Sequence, residues 1–163
     1  MFGRHKLSTL TTVFSILTVG LAYADTTVNV TLMDMHGSKL DLSKNLEMGI
    51  GMKGDHSKAM FHIMIDQPEV SAGKITFKVA NAAKELQHEM LVVPMKDDKT
   101  PLPFVENENR ADEEKSDSLG EVAELDPGKS GELTLELKPG LYALFCNIPG
   151  HYGAGMWTKL AVK

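Results

Sequence analysis

Cysteine is nearly absent from this chain: of 163 residues only Cys146 carries a thiol. An internal disulfide is thereby excluded, and structural zinc, which favours several thiolates, is disfavoured. A basic surplus is also lacking, with 17 Lys and Arg against 22 Asp and Glu. That balance argues against nucleic acid, whose phosphates demand basic patches. Neither a long-period repeat nor a linker marks off a second folded domain. The most apolar stretch, Leu7 to Leu21, is broken by Ser8, Thr9, Thr11, Thr12, Ser15 and Thr18. It is also shorter than the roughly 20 apolar residues that a membrane-spanning helix needs.

What stands at the N-terminus instead has the form of a secretory signal. Arg4, His5 and Lys6 make a basic start, the apolar stretch follows, and Ala22-Tyr23-Ala24 has the small-x-small pattern that signal peptidase cuts after. The expectation is a signal peptide over residues 1–24, a mature domain over 25–163, a periplasmic location and no membrane insertion after cleavage. Cleavage would remove Arg4 and Lys6 but no acid, so 17 basic residues fall to 15 against 22 acids and the net charge becomes −7. Such a charge favours solubility and a basic partner. In an oxidising compartment a lone thiol must be buried, paired with another chain or held by a metal.

The mature sequence reads as all-β. Thr27 to Leu32, Met60 to Ile65, Ile75 to Val79, Leu86 to Val93, Glu132 to Leu137, Leu141 to Phe145 and Trp157 to Val162 have strand character, mostly by alternation, and Pro139-Gly140 makes a turn. About seven or eight strands with frequent turn signals predict a two-sheet Greek-key β-sandwich. Two segments stand outside this pattern. Residues 35–59 are polar and Gly-rich with scattered Met and His. Residues 106–124 carry eight acids, among them Glu113, Glu121 and Glu124, and predict a surface loop with a short helix. That acidic run is a solvated surface or a patch that steers a basic redox partner.

The stretch from Tyr142 to Met156 concentrates the chemistry. Cys146, His151 and Met156 follow one another with four residues between each pair. A strand delivers Cys146 to one end of the sandwich, and Pro149-Gly150 turns the chain so that His151 can return beside the sulfur. Gly153 and Gly155 permit a second close turn before Met156 opens the last strand. An upstream imidazole completes the set, with His36, His56, His62 and His88 as candidates. His88, 58 residues before Cys146, is selected by its strand and the apolar run after it. Met90 rivals Met156 as the thioether, because it shares a strand face with His88. Two His, one Cys and a weak axial Met are the donors of blue-copper electron-transfer sites: thiolate and thioether suit Cu(I), and imidazole accepts both oxidation states.

With these residues in view the chain resembles the cupredoxin (type 1 copper) family. The Cys-x4-His-x4-Met spacing differs from that of plastocyanins, and the layout is similar to small bacterial periplasmic cupredoxins linked to copper tolerance. The resemblance selects His88, Cys146, His151 and Met156 as ligands of one copper ion. It implies a monomeric one-electron carrier, not an enzyme, that serves copper tolerance or shuttles electrons between respiratory redox proteins. The partner would be a redox protein such as a cytochrome, or a copper-handling protein. Catalysis beyond a cuprous-oxidase-like side activity would need more clustered His than this chain has. Asn147 and nearby backbone N–H groups are candidate donors to the sulfur. The His151 ring edge is expected near the surface, where a partner could dock. A Met/His-containing segment over about residues 33–64 remains, with Met48, Met52, His56, Met60, His62 and Met64 as candidates for a secondary soft-metal site. Ordinary core filling by its thioethers is the competing reading.

Overall fold

The computed structural model describes residues 25–35 and 41–163; the signal-peptide expectation and His36 lie outside the described residues. Eleven strands follow in order: β1 Thr26–Asp34, β2 Phe61–Ile65, β3 Glu69–Val70, β4 Gly73–Asn81, β5 His88–Met95, β6 Phe104–Val105, β7 Arg110–Ala111, β8 Gly120–Leu125, β9 Ser130–Leu137, β10 Gly140–Phe145 and β11 Trp157–Val162. A four-stranded sheet has the order β2-β1-β4-β9 and a five-stranded sheet the order β3-β11-β10-β5-β8, with β6 and β7 as a separate small hairpin. The two larger sheets face each other, as the β-sandwich reading requires. Pairing is antiparallel except between β1 and β4 and between β11 and β3.

The main core fills the space between the sheets. Val28, Val30 and Leu32 of β1, Phe61 and Ile63 of β2, and Ile75, Phe77 and Val79 of β4 meet Met90, Val92, Leu144 and Leu160. These are the alternate positions that period-two patterning assigns to one face. The five-stranded sheet is covered on its other side as well. There Leu91, Val93, Ala143 and Phe145 pack with Ile50, Leu102, Ala111 and Tyr152. Double coverage explains why β5 and β10 read as continuous apolar runs while β1 and β4 alternate.

The sequence reading missed β3, β8 and the β6–β7 hairpin. β3 has only two residues, and Val122 is the one buried side chain of β8, so neither carries a measurable period. The short helix expected in 106–124 is replaced by the β6–β7 hairpin, hydrogen-bonded turns and the start of β8. Its acids face mostly outward, leaving no apolar stripe to hold a helix on the sandwich. The one helical element among the described residues is a 3-10 turn, His56–Lys58, capped by Asp55.

Candidate metal centre

β10 ends at Phe145 and β5 begins at His88, both at the same end of the five-stranded sheet, where Phe145 pairs with Leu91. Cys146 therefore emerges beside His88. The chain then folds into a compact loop: His151 N–H donates to Ile148 O at 2.9 Å, Ala154 N–H to Gly150 O at 2.9 Å, and Gly155 N–H to Tyr152 O at 3.0 Å. Gly150 sits at φ 87° and Gly155 at φ 94°, in the left-handed region that a side-chain-bearing residue enters only with strain. The loop closes on itself through Cys146 N–H to Met156 O and Met156 N–H to His151 O, each 3.1 Å. Residues 146, 151 and 156 are thus tied through one backbone frame.

Three donor atoms converge inside it. His88 Nδ1 lies 3.2 Å from His151 Nδ1, and Cys146 Sγ lies 3.3 Å from the same His151 nitrogen. Ligand atoms of all three residues fall within 4.8 Å of one another, and all three residues are buried. Met156 is fully buried and belongs to the core cluster that includes Cys146. Met90 is equally buried in that cluster, so burial alone does not separate the two thioethers. The backbone ties of Met156 to Cys146 and His151 do set it apart.

Burial dominates the electrostatics. It lowers both imidazole pKa values to about 4, with the Asp34 charge opposing the shift at His88 and the His88 charge adding to it at His151. It pushes the Cys146 thiol up to about 12, against hydrogen bonds from the Glu89 and Ile148 backbone. Near neutral pH the site therefore presents two uncharged imidazoles and a thiol that needs a cation to lose its proton. His88 Nε2 is buried without a hydrogen-bond partner. Metal–nitrogen and metal–sulfur bonds of about 2 Å bring donors within about 4 Å of each other, so these residues fit one small soft ion. The donor set, two imidazoles and one thiolate with a thioether close by, is that of a type 1 copper centre.

Several supporting side chains were not legible in advance. Glu89 interrupts an otherwise apolar strand and is buried. Its backbone N–H donates to Cys146 Sγ at 3.5 Å, and its carboxylate accepts from Asn147 N–H at 3.0 Å. Burial, together with Glu124 and Glu121, raises its pKa to about 7. The signal was present: a lone carboxylate inside a buried run, next to a candidate ligand. Phe61 stacks on His151 with ring centroids 4.8 Å apart and meets His88 edge-on at 5.8 Å. Asn147 turns away from the sulfur. Its side chain accepts from Ala111 N–H at 2.8 Å and donates to Ala111 O at 3.0 Å and to Glu113 at 2.8 Å. It anchors the ligand loop to β7, and the sulfur takes its donors from the Glu89 and Ile148 backbone.

His151, whose ring edge was expected near the surface, is only 4% accessible. The segment 41–59 covers the ligand loop. Met48 N–H donates to Gly153 O at 2.8 Å, Trp157 Nε1 to Met48 O at 2.8 Å, and Ile50 N–H to the Tyr152 hydroxyl at 3.0 Å. Asn109, at φ 52°, donates its side-chain amide to Leu42 O at 2.8 Å and accepts Gly150 N–H at 2.7 Å. The segment also divides the secondary candidates. Met48 is 3% accessible and lies in the core. Met52 and His56 line a shallow cleft with Trp157, where the His56 ring meets the indole edge-on at 6.0 Å. Met60, His62 and Met64 belong to the outer side of the four-stranded sheet, away from the metal centre.

Fold and donor set together define a sandwich with a buried type 1 copper-like centre at one end. Residues 56–157 match the model of the cupredoxin-like domain, and the chain belongs to that family. Among solved structures it is similar to the copper protein rusticyanin, at 19% identity over 86% of this chain and 80% of that one, with a TM-score of 0.53. Reduced rusticyanin aligns at 18% identity over 86% and 82%, with a TM-score of 0.51. Auracyanin B aligns at 22% identity over 89% and 93%, with a TM-score of 0.50. At these identities the likeness is one of fold. The search of curated proteins finds no match.

Proposed function

We propose that this chain is a periplasmic, mononuclear type 1 copper protein that carries single electrons and serves copper tolerance. The observation that carries the reading is the convergence of His88, Cys146 and His151 in one buried cluster framed by the loop that ends in Met156. Copper bound there supplies a one-electron Cu(I)/Cu(II) couple. Cys146 contributes the thiolate, giving up its proton on binding, while His88 and His151 contribute neutral nitrogen lone pairs through Nδ1. Met156 would add a thioether as a weaker donor. The Glu89 N–H aimed at the sulfur tempers the thiolate's electron density. The ladder contacts and the loop hydrogen bonds hold the donors in place whether or not the electron is present, which keeps rearrangement small. Phe61 and the 41–59 segment exclude water from the imidazoles.

A docking role for the acidic 106–124 stretch follows from its position. Glu113 is bonded to Asn147, the residue after Cys146, so this acid lies beside the ligand loop, where its charge would attract a basic redox partner. The reading is tested by loading the protein with Cu(II). The expected outcome is an intense blue or green thiolate charge-transfer band that is absent in Cys146→Ala; a colourless Cu(II) wild-type protein overturns it. A deletion strain separates the two physiological roles. Copper sensitivity with ordinary electron transport supports tolerance, and impaired electron transport at ordinary copper supports a respiratory shuttle.

A further inference from the structure

The outer face of the β1–β2 pair carries soft donors that the buried centre does not use. The antiparallel register sets Met33 directly opposite His62 and Thr31 opposite Met64. Met35 N–H donates to Met60 O at 2.8 Å, which continues the ladder by one more pair, Met35 with Met60. Between these positions Leu32, Phe61 and Ile63 point into the core and are at most 5% accessible. Strand alternation therefore places Met33, Met35, Met60, His62 and Met64 together on the opposite face, in three consecutive rows.

Directly opposed side chains on one face have Cβ atoms about 4.5–5.5 Å apart, and diagonal neighbours about 7–8 Å. Methionine has three rotatable bonds beyond its Cα, so thioethers from the rows above and below can swing onto the His62 ring alongside Met33. The ordinary use of methionine is to fill core gaps, and Met48 and Met90 are buried in that way. The outer-face residues differ. Met35 is 51% and Met64 58% accessible, and Leu119, at 43%, is the only other exposed large apolar side chain among the described residues. Thioethers gain little from water, and among the described residues about half of each of these two side chains is left uncovered.

We propose that Met33, Met35, Met60, His62 and Met64 form a second, surface metal site that binds one soft monovalent cation, Cu(I), with Ag(I) as its redox-silent analogue. The donors are four thioethers and an imidazole, all uncharged. Soft sulfur selects Cu(I), whereas Cu(II) and Zn(II) prefer several nitrogen, carboxylate or thiolate ligands, and this row offers a single imidazole among four thioethers. The site is separate from the buried one: on β2, Phe61 faces His151 on the inside while His62 faces outward.

The test uses the full mature protein, reduced and loaded with Cu(I) at the buried centre, with 13C-labelled methionine methyl groups. Ag(I) is titrated anaerobically and methyl shifts are followed residue by residue. One further equivalent is expected to bind, moving the methyls of Met33, Met35, Met60 and Met64 and the ring signals of His62, while Met48, Met90 and Met156 stay in place. The double variant Met33→Leu/Met64→Leu and the single variant His62→Phe are each expected to weaken this binding at least tenfold while leaving the absorption of the oxidised buried centre unchanged. Zn(II) is expected to leave the four methyls unmoved. The proposal is overturned if no further equivalent binds, if it binds without shifting these methyls, if Zn(II) shifts them equally, or if affinity survives in the variants. Because the readout is assigned per residue, it stands whether or not the buried centre proves to be type 1 copper.

Discussion

Replacing Asn147 by leucine removes a buried polar clamp while keeping the number and branching of the side-chain heavy atoms. Asn147 is 1% accessible, and its amide bonds both the N–H and the C=O of Ala111, itself 2% accessible, as well as Glu113. Leucine leaves the two Ala111 backbone groups buried and unpartnered. Each such orphan costs about 1–3 kcal/mol; Glu113 is only half-buried and recovers its partner from water. The expected loss is about 4 kcal/mol, a large share of the 5–15 kcal/mol by which domains are stable. With a urea slope of about 2 kcal/mol/M, the unfolding midpoint of the metal-free protein falls by about 2 M at an unchanged slope. The Asn147 N–H to Glu89 bond belongs to the backbone and survives, so variant protein that remains folded keeps the colour of its Cu(II) form. A midpoint shift under about 0.5 M would refute the clamp. Loss of colour in folded variant protein would mean that the side chain acts on the sulfur after all.

Three further outcomes are expected. Phe61→Ala removes the ring stacked on His151 and leaves a cavity at a position 1% accessible; unfolding in urea should show a loss of about 3–5 kcal/mol, larger than that of Phe61→Leu. Gly150→Ala would place a Cβ 2.5 Å from Leu42 O at φ 87°, pushing the 41–59 segment off the ligand loop. Copper transfer to a chelator should then accelerate, measured by decay of the charge-transfer band, and an unchanged rate would count against the covering role. Lys159→Ala breaks the 2.9 Å pair with Asp98, whose side chains are 44% and 46% accessible. Exposed pairs contribute little, so stability should change by less than about 1 kcal/mol.

The glutamate at position 89 is an instructive omission. A carboxylate in a buried strand is costly unless it is hydrogen-bonded, and here the Asn147 N–H supplies that bond. Its neighbour His88 was found because an imidazole next to an apolar run invites a ligand reading. Glu89 acts through its backbone N–H on the sulfur and its side chain on the following residue, and neither direction can be read from a linear string.

Local chemistry was legible wherever it depended on near neighbours in sequence. The spacing of Cys146, His151 and Met156 with intervening glycines determines a tight loop, because only a few backbone turns are open to it. The alternation of β1, β4 and β9 determines which side chains face inward, because strand geometry repeats every two residues. Tertiary structure decided the rest. The meeting of His88 with that loop depends on β5 pairing with β10, and the burial of His151 on a segment nearly a hundred residues earlier folding over it. The gathering of Met33 and Met35 with His62 across two strands depends on register. Each of these rests on contacts between distant parts of the chain, whose energies come from packing and from the satisfaction of buried polar groups, and those terms exist only once the sandwich has formed.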